Sequence, residues 1–130
     1  MACVACLACS ANTPPNVLLI ELGGNDGLRG HPPAKIRDNL LRMAQLAQAS
    51  GASVLLLPME IPPNYGERYT AAFRESFNAV ADKTGASLAP FILDGVATQT
   101  GLMQDDGIHP TASAQPLLLQ NIIDSLLEIL

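Results

Sequence analysis

Short apolar segments alternate with amphipathic segments along the chain, and this alternation restricts its fold more than any other feature. The segments at 16–22 (NVLLIEL) and 53–58 (SVLLLP) are rich in residues that favour strands, and a shorter one follows at 87–91 (SLAPF). Apolar residues recur at helical spacing from Pro33 to about Gly51, from Tyr69 to about Gly85, and from about Thr111 to the end. Strands that alternate with helices of this length predict a parallel sheet covered on both faces.

Composition limits the partners of this fold. The chain has 130 residues, of which 48% are hydrophobic and 15% are charged, whereas about 25% is usual for soluble domains. No apolar run approaches the roughly 20 residues that span a bilayer, so we expect no membrane span. The net charge is −5 and the few basic residues do not cluster, so we expect no nucleic-acid partner. The excess of apolar side chain favours an oligomer, or a domain that lacks part of its usual cover.

The first 15 residues differ from the rest and are predicted to form a separate N-terminal segment, helical or disordered, before a single partial domain at 16–130. Cys3, Cys6 and Cys9 lie there at a spacing of three. No fourth thiolate follows, so small apolar helix residues are favoured over a metal or iron–sulfur site. We predict neither a metal nor a cofactor. The segment lacks the basic region of a secretory signal, and the sequence does not indicate where the protein is located.

A carboxylate precedes an imidazole by three residues in MQDDGIHP, after the third strand. In ester cleavage a neutral imidazole accepts the hydroxyl proton, and a carboxylate on its other nitrogen fixes the tautomer. Asp106 is close enough in sequence to hold His109 in this way, and Asp105 is the rival carboxylate. The structural alternative is an Asx turn before a helix, with His109 merely exposed.

A second polar motif, ELGGNDGLRG, follows the first strand. Its glycines, Gly24 among them, let the backbone turn tightly and approach a ligand, and the carboxamide of Asn25 could donate a hydrogen bond to an oxyanion. The structural alternative is an Asn-Asp turn. Ligands of parallel α/β sheets bind beyond the carboxyl ends of the strands, so we expect the two motifs to meet at one rim of the sheet.

Taken together, VLLIELGGNDGLRG, PPNYGERYTAAF and MQDDGIHPTASAQP resemble the third and fifth conserved blocks of the SGNH hydrolases, and the loop between them. The resemblance is greatest to the thioesterase I, lysophospholipase and arylesterase branch, and it covers nearly everything from residue 16 onward. It implies a flavodoxin-like three-layer α/β/α sandwich that hydrolyses small esters or thioesters without a metal. It also implies that Asn25 is an oxyanion donor and that Asp106 and His109 are the catalytic Asp and His.

The chain departs from this family at its start. The Gly-Asp-Ser-Leu block that supplies the serine nucleophile, and the block that supplies an oxyanion glycine, are not found in the sequence. We therefore expect an N-terminally truncated domain with three strands per chain, whose segment 16–22 is an exposed edge. Two copies could pair antiparallel along that edge as a homodimer and bring Ser10 of one copy near the GGND loop of the other. The alternative to an ester hydrolase is a non-catalytic remnant that folds and dimerises.

Overall fold

The computed structural model describes residues 14–130, which form a parallel sheet with helices packed on it. The 3-10 turns lie at Pro63–Tyr65 and Ala112–Ala114. The strands and α helices follow in the order β1 (Val17–Ile20), α1 (Gly24–Leu28), α2 (Pro33–Ala49), β2 (Ser53–Leu56), α3 (Glu67–Thr84), β3 (Ser87–Leu88) and α4 (Gln115–Leu127). The predictions for the three cysteines, for Ser10 and for most of the N-terminal segment concern residues outside this range.

All three predicted strands are present and parallel, in the order β1-β2-β3. Each regular strand is shorter than its apolar segment, although the ladder extends slightly further. The amide of Leu57 donates to the carbonyl of Ile20 at 3.0 Å, and the amide of Ala89 donates to that of Leu56 at 2.9 Å. The apolar segments therefore predicted the position of the strands but overestimated their length.

The helix ends follow from proline and glycine. Pro33 is the first residue of α2, as predicted, because its fixed φ suits a first helical turn and its missing N–H has no helical partner there. The C-cap of α3 is Gly85, whose φ of +70° is a conformation that glycine adopts without steric cost. Helix α3 begins at Glu67, two residues before the predicted start at Tyr69.

The main core lies on the face of the sheet that packs against α2 and α3. Val54 and Leu56 of β2 point to this side and are almost completely buried. They pack in one cluster with Leu40 of α2 and with Phe73 and Phe77 of α3. The two phenylalanine rings meet edge to face, with their centroids 5.5 Å apart.

A smaller core lies on the opposite face, beneath α4. Leu55 and Leu57, which alternate with the residues of the first core, pack there against Ile122 of α4. Helices thus cover both faces of the central strand, and the predicted three-layer α/β/α sandwich is confirmed. The predicted apolar stripe of the last helix was partly wrong. Leu118 is buried, but Leu130 is 79% exposed because the helix ends at Leu127.

Strand β1 is one edge of the described sheet, and one of its leucines is exposed. The register pairs Leu19 with Leu55 on the α4 side of the sheet. Leu55 is fully buried whereas Leu19 is 41% exposed, and Leu22 beyond the strand is 42% exposed. The homodimer along 16–22 stays a prediction, and this edge is where it would form. No helix within 14–130 is both long and apolar enough to cross a membrane.

Candidate active site

Asp106 and His109 are in direct contact. The ring Nδ1 of His109 lies 2.6 Å from Oδ2 of Asp106. The other carboxylate oxygen, Oδ1, accepts the backbone N–H groups of Ile108 at 2.9 Å and of His109 at 3.0 Å. The Asx turn and the Asp-His pair, which the sequence presented as alternatives, are therefore both made by one side chain. The rival Asp105 is exposed and has no hydrogen bond to the ring.

These hydrogen bonds determine the protonation of the pair. The hydrogen bond from the His109 side chain, followed by the two backbone N–H groups, lowers the pKa of Asp106 from 3.8 to about 2. At neutral pH the carboxylate is therefore ionised and can only accept hydrogen bonds. The proton between the two side chains must then be on Nδ1, which leaves Nε2 of a neutral ring as an acceptor. The His109 side chain is 68% exposed, so this nitrogen is accessible.

The loop that carries the pair is closed at its base. Met103 and Pro110 form an antiparallel bridge. The amide of Gln104 donates to the carbonyl of His109 at 2.8 Å, and the amide of Thr111 donates to that of Leu102 at the same distance. These bonds hold the two ends of the loop together. The backbone that carries Asp106 and His109 is therefore fixed at both ends.

The GGND motif turns at its first glycine and continues into a short helix, so the Asn-Asp turn, which was the structural alternative, is not what forms. Gly23 has a φ of +104° and turns the chain after β1, as the paired glycines suggested. The next five residues, Gly24–Leu28, are α1. Asn25 lies in its first turn, and its carbonyl accepts the amide of Arg29 at 3.1 Å. The Asn25 side chain is exposed and makes no hydrogen bond to another residue within 14–130.

Helix α1 sits against the core at two glycines on the same face. A Cβ on Gly24 would lie 2.7 Å from the terminal methyl of Met59. A Cβ on Gly27 would lie 2.6 Å from Cε2 of Phe73 and 3.0 Å from Cγ2 of Ile61. No side chain fits in either place without movement. Gly24, predicted as loop support, is therefore a packing position, and Gly27 is a second one that the sequence reasoning did not single out.

Two tyrosines that follow β2 hold the end of α1. The hydroxyl of Tyr65 donates to the carbonyl of Leu28 at 2.7 Å. The hydroxyl of Tyr69 lies 2.6 Å from the carbonyl of His31 and 3.2 Å from that of Gly27. Burial is the largest cause that raises the pKa of Tyr69. The sequence placed Tyr69 in the core by its spacing, but spacing does not reveal its polar contacts.

The two motifs both follow strands of one parallel sheet. β1 and β3 flank β2, so the strands lie roughly 10 Å apart and their carboxyl ends face the same edge. Among residues 14–130 no hydrogen bond connects Asn25 to Asp106 or His109, and none joins a serine to the His109 ring. Joint action of Asn25 and His109 on one carbonyl remains a prediction. No group of three or more potential metal ligands occurs in this part of the chain.

The chain belongs to the GDSL-like lipase/acylhydrolase family, whose model matches residues 6–115. The resemblance that the sequence motifs suggested is therefore confirmed.

Three curated relatives are similar over most of this chain. Esterase TesA of Pseudomonas aeruginosa is 52% identical over 120 residues, which are 92% of this chain and 60% of the relative. The arylesterase of Vibrio mimicus is 42% identical, over 88% of this chain and 57% of its own length. Thioesterase 1/protease 1/lysophospholipase L1 of Escherichia coli K12 is 41% identical, over 80% and 50%. The chain thus spans between half and three fifths of these relatives.

The fold agrees with that of a solved relative. The crystal structure of TesA superimposes with a TM-score of 0.91 at 51% sequence identity, over 97% of this chain and 71% of the TesA chain. The three parallel strands and their helices are therefore those of an SGNH hydrolase, as the fold prediction stated.

Proposed function

We propose that this chain hydrolyses carboxylic esters, namely short acyl esters, aryl esters and thioesters, with His109 as general base, Asp106 as its orienting partner and Asn25 as an oxyanion donor. The observation that carries the proposal is the 2.6 Å contact between Nδ1 of His109 and Oδ2 of Asp106. The relatives are named esterase, arylesterase and thioesterase 1, which supports an ester or thioester as the bond that is cleaved.

In the proposed reaction the accessible Nε2 of His109 accepts the proton of an attacking hydroxyl. The hydroxyl oxygen bonds to the ester carbon, and the electron pair of the C=O bond moves to the carbonyl oxygen. An N–H of the Asn25 carboxamide stabilises this oxyanion; loss of one such donor typically costs about 3–4 kcal/mol. When the intermediate collapses, the C=O bond re-forms, the bond from the carbonyl carbon to the leaving oxygen or sulfur breaks, and the alcohol or thiol leaves with the proton from Nε2; the ionised Asp106 stabilises the imidazolium until then. Attack by water gives the free acid directly. Attack by a serine leaves an acyl-serine, which a water molecule deprotonated by Nε2 then cleaves to the acid, and the proton returns to the serine oxygen.

The attacking hydroxyl group has two candidate sources. One is a serine, with Ser10 of a second copy as the candidate that the predicted dimer would supply; Ser10 lies outside the described residues. The other is a water molecule activated by His109, which would react more slowly because no covalent intermediate divides the step. The two sources differ in whether the protein is labelled by a reagent that reacts with activated serines.

The proposal is tested with the purified chain and p-nitrophenyl acetate or butyrate, together with a serine-directed phosphonate and mass spectrometry. Turnover that is lost in His109→Ala supports the general base, and an adduct on a serine identifies the nucleophile. Turnover without an adduct, again lost in His109→Ala, identifies water as the nucleophile. A folded chain with no turnover on either ester contradicts the proposal and favours the non-catalytic remnant.

A further inference from the structure

We propose that Tyr69 is a positioning residue for the oxyanion donor: its hydroxyl holds α1 and the following loop in the shape that presents Asn25. The inference rests on the proposed function, because it assigns Tyr69 a role through Asn25. Tyr69 itself lies in the first turn of α3 and is not adjacent to Asn25 in sequence.

Helix α1 requires external support. It has five residues, whereas isolated helices shorter than about 12 residues are marginal in water. Its first turn is fixed by the close approach of Gly24 to Met59 and its second by that of Gly27 to Phe73. These apolar contacts limit the distance of α1 from the core, but they do not bind the carbonyls at its carboxyl end.

The hydroxyl of Tyr65 binds the last carbonyl of α1, that of Leu28, at 2.7 Å. The hydroxyl of Tyr69 supplies the polar contact that also reaches the following loop. It lies 2.6 Å from the carbonyl oxygen of His31 and 3.2 Å from that of Gly27, so the helix and the loop after it share one donor. A phenol has a single proton, and the shorter distance assigns most of the hydrogen bond to His31. The amide of His31 donates to the carbonyl of Asp26 at 3.0 Å, and its ring Nδ1 lies 3.4 Å from the Asp26 carboxylate.

Asn25 is connected to this arrangement through the backbone. Its carbonyl accepts the amide of Arg29, and the carbonyl of Gly27 accepts the amide of Gly30. A shift of the His31 loop would therefore move the residues that close the turn around Asn25. Because the Asn25 side chain is exposed and has no described partner of its own, its direction depends on the backbone that carries it.

Tyr69→Phe tests this role because it removes the hydroxyl and keeps the partly buried ring packed against the core. We expect kcat for p-nitrophenyl butyrate to fall by about tenfold with KM nearly unchanged, since a donor misplaced by about 1 Å can lose up to a hundredfold. Thr70→Val is the matched control. It removes the hydroxyl of the next residue in α3, whose acceptor is the carbonyl of Glu67 within the same helix.

A double-mutant cycle with Asn25→Ala separates positioning from general structural damage. If Tyr69 acts through Asn25, then Tyr69→Phe has almost no further effect on kcat in the Asn25→Ala background. A full tenfold loss in both backgrounds overturns the proposal, and so does an unchanged kcat in the single variant. A parent chain without turnover instead contradicts the proposed function. Hydrogen exchange of the Arg29, Gly30 and His31 amides then decides whether Tyr69 holds the turn: faster exchange in Tyr69→Phe supports the holding contact, and unchanged exchange overturns it.

Discussion

Substitution of Gly27 by alanine measures how closely α1 packs on the core. The new Cβ would lie 2.6 Å from Cε2 of Phe73, so the ring must move by about 0.8 Å to reach an ordinary contact near 3.4 Å. Phe73 is completely buried and packs edge to face on Phe77, which resists that movement. Overpacking of this kind costs about 1–3 kcal/mol, and the better helix propensity of alanine returns about 0.5–1 kcal/mol.

We therefore expect Gly27→Ala to lower the free energy of unfolding by about 1 kcal/mol, and by at most about 2.5 kcal/mol. For a chain of this size the melting temperature falls by about 3–5 °C per kcal/mol. Urea denaturation followed by circular dichroism measures the change, with an unchanged m value as the sign that only stability has altered.

The matched control places Gly27→Ala in a Phe73→Leu background. Leucine lacks the ring atoms that the new Cβ would meet, so the cost of the alanine should fall to near zero or become a small gain, and the coupling between the two sites should be about 1 kcal/mol. If Gly27→Ala is equally costly in both backgrounds, or stabilises the parent chain, the contact between α1 and Phe73 is not the cause and the reasoning is refuted.

The remaining predictions concern the Asp-His pair and the edge strand. Asp106→Asn should lower kcat by about 10²–10⁴ and move the His109 proton from Nδ1 to Nε2, as nitrogen NMR would detect, whereas Asp105→Asn should change neither. The pKa of Asp106 is lowered from 3.8 to about 2 in the folded state. The ionised carboxylate therefore stabilises the fold fully above pH 3.8, and this stabilisation disappears as the pH falls through 2. Urea denaturation between pH 5 and 2 should show this loss in the parent chain and not in Asp106→Asn. Pairing of two copies along 16–22 should give a dimer by size-exclusion chromatography with light scattering that Leu19→Lys weakens, and a parent that stays monomeric at all concentrations would end that prediction.

The order of strands and helices was predictable because burial on both faces leaves continuous apolar runs. Val54 to Leu57 alternate between two cores, so this run of four residues is apolar throughout. The ends of the strands were less predictable, because hydrogen bonding to the neighbouring strand determines them and sequence carries little of that information. Residues such as Leu22 are apolar but lie outside the regular ladder.

For the candidate site, the spacing allowed the contact of Asp106 with His109 but left Asp105 and an exposed His109 as alternatives, and the family resemblance chose between them. The sequence did not predict α1, since five residues are too few for a helical period and two of them are glycine. The spacing of Gly24 and Gly27 was the available signal: residues three apart share a helix face, and two glycines there indicate close packing. The hydroxyl contacts of Tyr65 and Tyr69 depend on tertiary distances, which no local pattern contains.

The carboxylate of Asp106 both closes the turn of the Asp-His loop and orients the imidazole of His109. Oδ1 of Asp106 closes the turn through two amides while Oδ2 holds the ring, and Gly107 completes that turn with a φ of +66°. Glutamate at this position is one methylene too long to serve both groups at once. A side chain that cannot accept hydrogen bonds at position 106 therefore releases the imidazole and the backbone of the loop together, and a compensating change elsewhere would have to restore two geometries at once.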